Sequence, residues 1–213
     1  MEFSAASAEL FIQSYMRILV IGGNGFIGSP LVSELLGSGH EVAVLHRRSD
    51  IGLADSGVVQ IQGNRNRLSD YEGQLRRFSP DVIVDLILSS GEQARQLVET
   101  ARKIARRVIA ISSMDVYRAW GVMREVEAGS LDPLPLTEDS PLRTTRRLYS
   151  PETVNMLQNI FTWLDQHYDK IAVEEAIRGD PAVGWTILRL PMVYGPGDPL
   201  HRFFPLLKRV TDG

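Results

Sequence analysis

The sequence predicts an α/β protein: one parallel sheet wound on both sides by helices. Two observations carry that expectation. Short runs rich in Val, Ile and Leu alternate along the chain with longer stretches of helical apolar spacing. The first run, Arg17 to Ile21, ends in a glycine cluster that opens directly into such a helix. Strict βα alternation places the strands side by side and the connecting helices on the two faces.

The glycines fall at Gly22, Gly25 and Gly28, a G-x-x-G-x-x-G spacing between strand and helix. Gly22 permits a sharp turn, Gly25 lets backbone approach a pyrophosphate, and Gly28 lets helix and strand pack closely. The helix N-terminus beyond offers free N–H groups and the positive end of its dipole to phosphates. The stretch therefore reads as a dinucleotide-binding turn, with Phe26 and Ile27 flanking the ligand. Leu31, Val32, Leu35 and Leu36 mark the buried face of the helix.

The second strand, Glu41 to His46, runs into Arg47 and Arg48. In a dinucleotide fold this tip meets the adenosine ribose. An acidic residue there accepts from the 2′-hydroxyl of NAD, whereas arginine suits the 2′-phosphate of NADP. No carboxylate occurs before Asp50, so NADP is the preferred cofactor and NAD the second choice. Val58 to Ile61 is a third strand, followed by Gly63, Asn64 and Arg65, with Asn64 a candidate cofactor contact. A helix is expected from Ser69 to Phe78, stopped by Pro80. Asp81 to Leu88 reads as a central strand buried on both faces, with Asp85 interrupting it. Helix Glu92 to Ala105 and strand Val108 to Ile111 continue the rhythm. Residues 118–150, rich in Gly and Pro, form a long irregular connection of the kind that carries function. From Pro151 a helical pattern resumes, broken or continuous, into Ile171 to Ile177. Strand Trp185 to Leu190 and a short helix Phe203 to Val210 complete the chain.

Composition narrows the partners. At 213 residues and a formal charge of -3, the chain gives no reason to expect nucleic acid or an anionic membrane as a partner. It has no cysteine, which excludes thiolate chemistry and allows a cytoplasmic setting. The four histidines are widely spaced, so no metal site is expected. No apolar run is long enough to cross a bilayer. Residues 1–15 read as a leader, disordered or artefactual, and 16–213 as one dinucleotide-binding domain. The paired arginines at 76–77, 106–107 and 146–147 read as solvated surface.

Three motifs occur in order: Gly22-Gly23-Asn24-Gly25-Phe26-Ile27-Gly28, Ser112-Ser113-Met114-Asp115-Val116-Tyr117, and Arg189-Leu190-Pro191-Met192-Val193-Tyr194-Gly195-Pro196-Gly197. Together they resemble the extended short-chain dehydrogenase/reductases, the NAD-dependent epimerase/dehydratase group, many of which act on nucleotide sugars. The resemblance implies a Rossmann-type fold with a seven-stranded sheet and a smaller C-terminal substrate domain, largely absent from this chain. It implies an oxidoreductase of epimerase, dehydratase or reductase type with a small-molecule substrate, and by analogy a homodimer. Ser113 would hydrogen-bond the reacting substrate oxygen, and Val193 would lie beside the nicotinamide. Asp115 keeps the second of the two carboxylates used by the dehydratases, and Met114 replaces the first.

The group's Tyr-x-x-x-Lys pair is altered. Lys170 and the following Glu174 fit, and Lys170 would bind the nicotinamide ribose and lower the tyrosine pKa. The tyrosine position holds Gln166, and Tyr168 stands two residues before the lysine, nearly opposite it on a regular helix. Tyr168 can take the acid/base role only if the helix begins at or after it. Asp115 or Tyr149 could replace it, or the chain could be a non-catalytic dinucleotide-binding module, a sensor or regulatory protein. Asp85 stands where relatives commonly have histidine, and bulky Ile87 and Leu88 are expected to narrow the groove.

Overall fold

The computed structural model describes residues 15–47 and 57–212. Six parallel strands form one sheet in the order β3-β2-β1-β4-β5-β6. These are β1 (Arg17–Ile21), β2 (Glu41–His46), β3 (Val59–Gln62), β4 (Val82–Asp85), β5 (Arg107–Ser113) and β6 (Gly184–Leu190). The helices are α1 (Gly28–Gly37), α2 (Glu72–Phe78), α3 (Gly91–Ile104), α4 (Arg118–Met123), α5 (Pro151–Ile160), α6 (Lys170–Arg178) and α7 (Phe204–Asp212).

Alternation along each strand divides the core. Leu19, Ile21, Ala43, Leu45 and Ile83 join Leu75 and Phe78 of α2, Leu97 of α3 and Val173 and Ile177 of α6 on one face. Ile18, Val20, Val42, Val44, Val82 and Val84 meet Val32, Leu31, Leu35 and Leu36 of α1 on the other. Both faces of the sheet are covered, which is why the middles of β1, β2 and β4 are aliphatic without alternation. The order changes direction at β1, which pairs β2 on one side and β4 on the other. A crevice at the carboxyl ends of such neighbours is where open α/β sheets bind ligands.

Several elements differ from the sequence expectation. The sheet has six strands among the described residues, where the resemblance implied seven. The helix expected over Ser69–Phe78 is two pieces, the end of a 3-10 stretch Arg65–Tyr71, itself kinked at Arg67, and then α2, with the backbone leaving helical geometry at Tyr71. Strand β4 stops at Asp85, and Ile87 N–H donates to the Asp85 carboxylate at 3.0 Å, which turns the chain out of the sheet. The long connection holds α4 at its start. Of the leader assigned to 1–15, only Tyr15 is described; it donates to Glu41 at 2.6 Å.

Candidate active site at the carboxyl edge of the sheet

The glycine turn fits a dinucleotide. Gly22 has φ +86°, which L side chains rarely adopt. A side chain on Gly28 would collide with the Gly22 carbonyl oxygen, and one on Gly25 would stand 3.3 Å from it. The turn is thus as tight as backbone allows, and α1 begins at Gly28 with its N-terminus at the carboxyl edge. Ile27 precedes α1 with helical backbone. The Phe26 ring lies 3.9 and 3.8 Å from where Cβ atoms of Gly195 and Gly197 would stand, so the loop after β6 meets the glycine turn. In that loop the Val193 carbonyl accepts from Arg202 at 3.1 Å.

The other proposed cofactor contacts are spread along the same edge. Arg47 follows β2, and its guanidinium donates to Thr162 O at 3.1 Å and to the Thr162 hydroxyl. Arg48 lies outside the described residues. Asn64 follows β3 and its side chain accepts from Asn66 N–H at 3.0 Å, capping the 3-10 stretch. Ile87 rests on the Gly22 turn, its Cγ2 2.7 Å from where a Cβ would be. Leu88 does not narrow the groove: it is fully buried in the core on the α3 face.

The segment joining α5 to α6 explains how Tyr168 is placed. Residues 161–169 run across the carboxyl edge instead of continuing the helix. Thr162 meets Arg47, Gln93 donates to Trp163 O at 3.4 Å, and Asp165 N–H donates to Ser89 Oγ at 2.8 Å. Ser90 Oγ donates to Asp165 at 3.0 Å and Asp169 N–H to Ser89 O at 2.9 Å. Asp169 then caps α6, accepting from Ile171 and Ala172 N–H at 3.0 and 3.2 Å. Helix α6 therefore starts at Lys170, and Tyr168 stands before its first turn with the ring swung inward. Gln166 is exposed.

Three of the four proposed catalytic residues meet there. Tyr168 O–H donates to Asp115 Oδ2 at 2.6 Å. Asp115 lies in a 3-10 turn after β5, capped by Ser113, whose Oγ accepts from Asp115 N–H at 3.1 Å. Burial, then the neighbouring Asp115 charge, raises Tyr168 well above its ordinary value, the reverse of the lowering expected from Lys170. Burial also pushes the Asp115 carboxyl up, while the Tyr168 hydrogen bond, Lys170 and Arg143 oppose that. The tyrosine is thus held protonated against a carboxylate of raised basicity. Tyr149 packs its ring on Tyr168 with centroids 5.5 Å apart.

Lys170 is buried, and its Nζ donates to Leu88 O and, at 2.9 Å, to Ile111 O. One turn on, Glu174 accepts from Ser112 Oγ at 2.7 Å and from Arg189 at 2.9 Å. The two side chains staple α6 to the ends of β4, β5 and β6. Burial pulls Lys170 from its ordinary 10.5 down to about 8, against the charges of Asp115 and Asp85. Between those values the unfolded chain binds a proton that the folded chain has released, so stability rises with pH. Relative to Lys170→Met, the wild-type chain should gain up to about 3 kcal/mol across that window, read by urea unfolding. An unchanged difference would contradict this.

Two buried arginines escaped the sequence reading. Arg65 pairs with Asp85 at 2.8 Å beneath the site, with both side chains almost fully enclosed. Arg143, from the long irregular connection, donates through Nε to Asp115 O at 2.8 Å. Both resemble surface residues in sequence because their partners lie 20 and 28 positions away.

The sequence profile of the NAD dependent epimerase/dehydratase family matches residues 18–213. A chloroplast stem-loop binding protein of 41 kDa from Arabidopsis thaliana is 24% identical over 206 residues, covering 90% of this chain and 46% of that protein. A UDP-glucose 4-epimerase from Corynebacterium glutamicum is 28% identical over 148 residues, covering 61% of this chain and 41% of the epimerase. The Bordetella bronchiseptica enzyme WbmG, solved with NAD and UDP, superposes with a TM-score of 0.65 at 21% identity. That match covers 92% of this chain and 61% of WbmG. The chain thus spans less than half the length of these curated relatives. The smaller C-terminal substrate domain has no counterpart among the described elements. No helix among the described residues is long and apolar enough to cross a membrane.

Proposed function

The chain belongs to the NAD dependent epimerase/dehydratase family, and on that premise we propose that it is a dinucleotide-dependent oxidoreductase acting at a carbinol carbon of a nucleotide sugar or related hydroxyl compound. The observation that carries this reading is the Tyr168 hydroxyl bonded at 2.6 Å to a buried Asp115 on the edge that also holds the glycine turn. The NAD and UDP of the WbmG structure support the classes of cofactor and substrate.

The Gly22–Gly28 turn and the α1 N-terminus would hold the pyrophosphate, with Phe26 and Ile27 beside it. Asn64 and Arg47 would face the adenosine end, and Val193 the nicotinamide end. The bound dinucleotide supplies a hydride acceptor, or donor in the reverse direction. The chain's own groups handle the proton. Ser113 Oγ, whose hydrogen is free of the bond it accepts from Asp115 N–H, orients the substrate oxygen. As the carbinol O–H is lost, its proton passes to the Tyr168 oxygen while the Tyr168 proton moves to Asp115 Oδ2. The reverse reaction returns both. Lys170 fixes the end of α6 through two main-chain carbonyls and so sets where Tyr168 stands.

The reading includes a preference for NADP, through Arg47 and Arg48. Among the described residues Arg47 hydrogen-bonds a neutral threonine and no carboxylate, which suits a phosphate ligand. Arg47→Ala should weaken NADPH binding about tenfold to a hundredfold and leave NADH binding nearly unchanged, measured by calorimetric titration. Equal losses for both would contradict the preference. By analogy with relatives the proposal extends to a homodimer, and the absence of cysteine suits a cytoplasmic setting.

A second reading is a dinucleotide-binding module without turnover. The commitment of Lys170 Nζ to two carbonyls favours it. The test is the nicotinamide absorbance of this chain incubated with oxidised or reduced cofactor and a panel of nucleotide sugars and their keto forms. Hydride transfer with any of them supports the oxidoreductase. Binding of cofactor with no transfer across the panel supports the module.

A further inference from the structure

We propose that Arg143 is a positioning residue whose charge holds Asp115 ionised and turned toward Tyr168. The proposal rests on reading Asp115 and Tyr168 as the proton-handling pair.

Arg143 sits in the long irregular connection, yet its side chain is 0% exposed. Its main chain is fixed by a bond from Arg143 N–H to Val116 O at 2.9 Å, next to a bridge between Tyr117 and Leu142. The guanidinium bonds carbonyls on one side only. Nε donates to Asp115 O at 2.8 Å, and Nη1 to Thr145 O and, at 3.1 Å, to Arg146 O. Nη2 makes no such bond. It faces two carboxylates instead, Asp115 Oδ1 at 4.0 Å and Asp169 Oδ1 at 3.8 Å. Asp115 Oδ1 and Arg143 Nη2 are both sealed from solvent and neither has a hydrogen-bond partner.

This geometry separates two roles. Clamping the carbonyls of Asp115, Thr145 and Arg146 needs only donors, and Nε and Nη1 supply them. Enclosing a full positive charge is costly unless an opposite charge answers it. Two carboxylates answer it, Asp169 and Asp115, and Asp115 is the one whose other oxygen receives the Tyr168 hydrogen bond. Asp115 is also faced by Lys170 from α6, by Tyr149 from the connection and by the Ser113 hydroxyl. Asp169 shares the Arg143 charge and that of Arg146. Burial opposes ionisation of Asp115, and an opposite charge at this distance lowers a carboxyl by about one to three pKa values. A neutral Asp115 could not take the Tyr168 proton.

The test is the carboxyl carbon NMR titration of Asp115 in protein labelled at aspartate, assigned by loss of the signal in Asp115→Asn. It requires no substrate, so failure to find turnover leaves it readable. Arg143→Gln keeps donors and removes the charge, and should raise the Asp115 midpoint by about one or more. Arg143→Lys keeps the charge and loses the fork, and should return the midpoint to within about half of that displacement. A folded Arg143→Gln protein with the wild-type midpoint would overturn the proposal. So would Arg143→Lys displaced about one or more from wild type, which stands as the decisive arm if Arg143→Gln does not fold.

Discussion

Asp85→Ala is expected to lose about 3–5 kcal/mol of folding stability, measured by urea unfolding near neutral pH. Asp85 is fully enclosed and Arg65 is 3% exposed. Arg65 donates to Asp85 at 2.8 Å and to Gln93 O at 2.9 Å, while its Nε and Nη1 have no partner. The cation is therefore answered by one carboxylate and one carbonyl. Burial pushes Asp85 up and Arg65 down, opposite directions with the same cause. Removing the carboxylate strands a guanidinium in the core and leaves Ile87 N–H without its acceptor. The loss would also be felt at the site, because Asp85 is in register with Ile21, immediately before the glycine turn. The double variant Arg65→Met/Asp85→Ala should lose less than Asp85→Ala alone, since no charge is stranded. A double variant no better than the single one would show that the charge is not the cause.

Tyr168→Phe should lower turnover about a hundredfold to ten-thousandfold on any substrate the chain accepts, with dinucleotide affinity retained. Asp115→Asn should fall in the same range, because an amide cannot receive the tyrosine proton. The two losses should not add, since each breaks one proton path. Phenylalanine keeps the ring packing against Tyr149, so the hydroxyl is what is removed. Its loss also leaves Asp115 Oδ2 without the 2.6 Å bond, and about 1.5–3 kcal/mol of stability should go with it. Undiminished turnover in Tyr168→Phe would exclude the proton path described above. Gln166→Tyr is a useful contrast: position 166 is exposed, outside α6, and should not restore activity to Tyr168→Phe.

The parts of this molecule that repeat were legible in its sequence. Aliphatic runs at β1, β2 and β4, glycines at 22, 25 and 28, and the spacing of Leu97, Val98 and Ala101 specify strands, turn and helix from neighbours within a few positions. What connects distant positions was not. Nothing between Phe161 and Asp169 breaks a helix by composition, as the stretch holds neither glycine nor proline. The break is made by Arg47, Ser89, Ser90 and Gln93, which offer side-chain partners that a continuous helix would leave unused. A local signal was nonetheless present: Asp169 directly before an amphipathic run is a strong N-cap, and placing the helix start there frees Tyr168 from the lysine's opposite face. Arg65 and Arg143 were hidden for a related reason. Arginine is rarely enclosed, and carboxylates far along the chain, at 85 for Arg65 and at 115 and 169 for Arg143, make burial tolerable.

The most direct test of the dinucleotide site, on which the proposed oxidoreductase depends, is a calorimetric titration of this chain with NADPH and, separately, with NADH. The turn, the α1 N-terminus, Arg47 and Lys170 all lie within residues 15–212, so the proposed site is present. One dinucleotide should bind per chain, NADPH more tightly than NADH, with binding lost when Gly28→Leu drives a side chain into the Gly22 carbonyl. Binding of neither dinucleotide by the folded chain would contradict this.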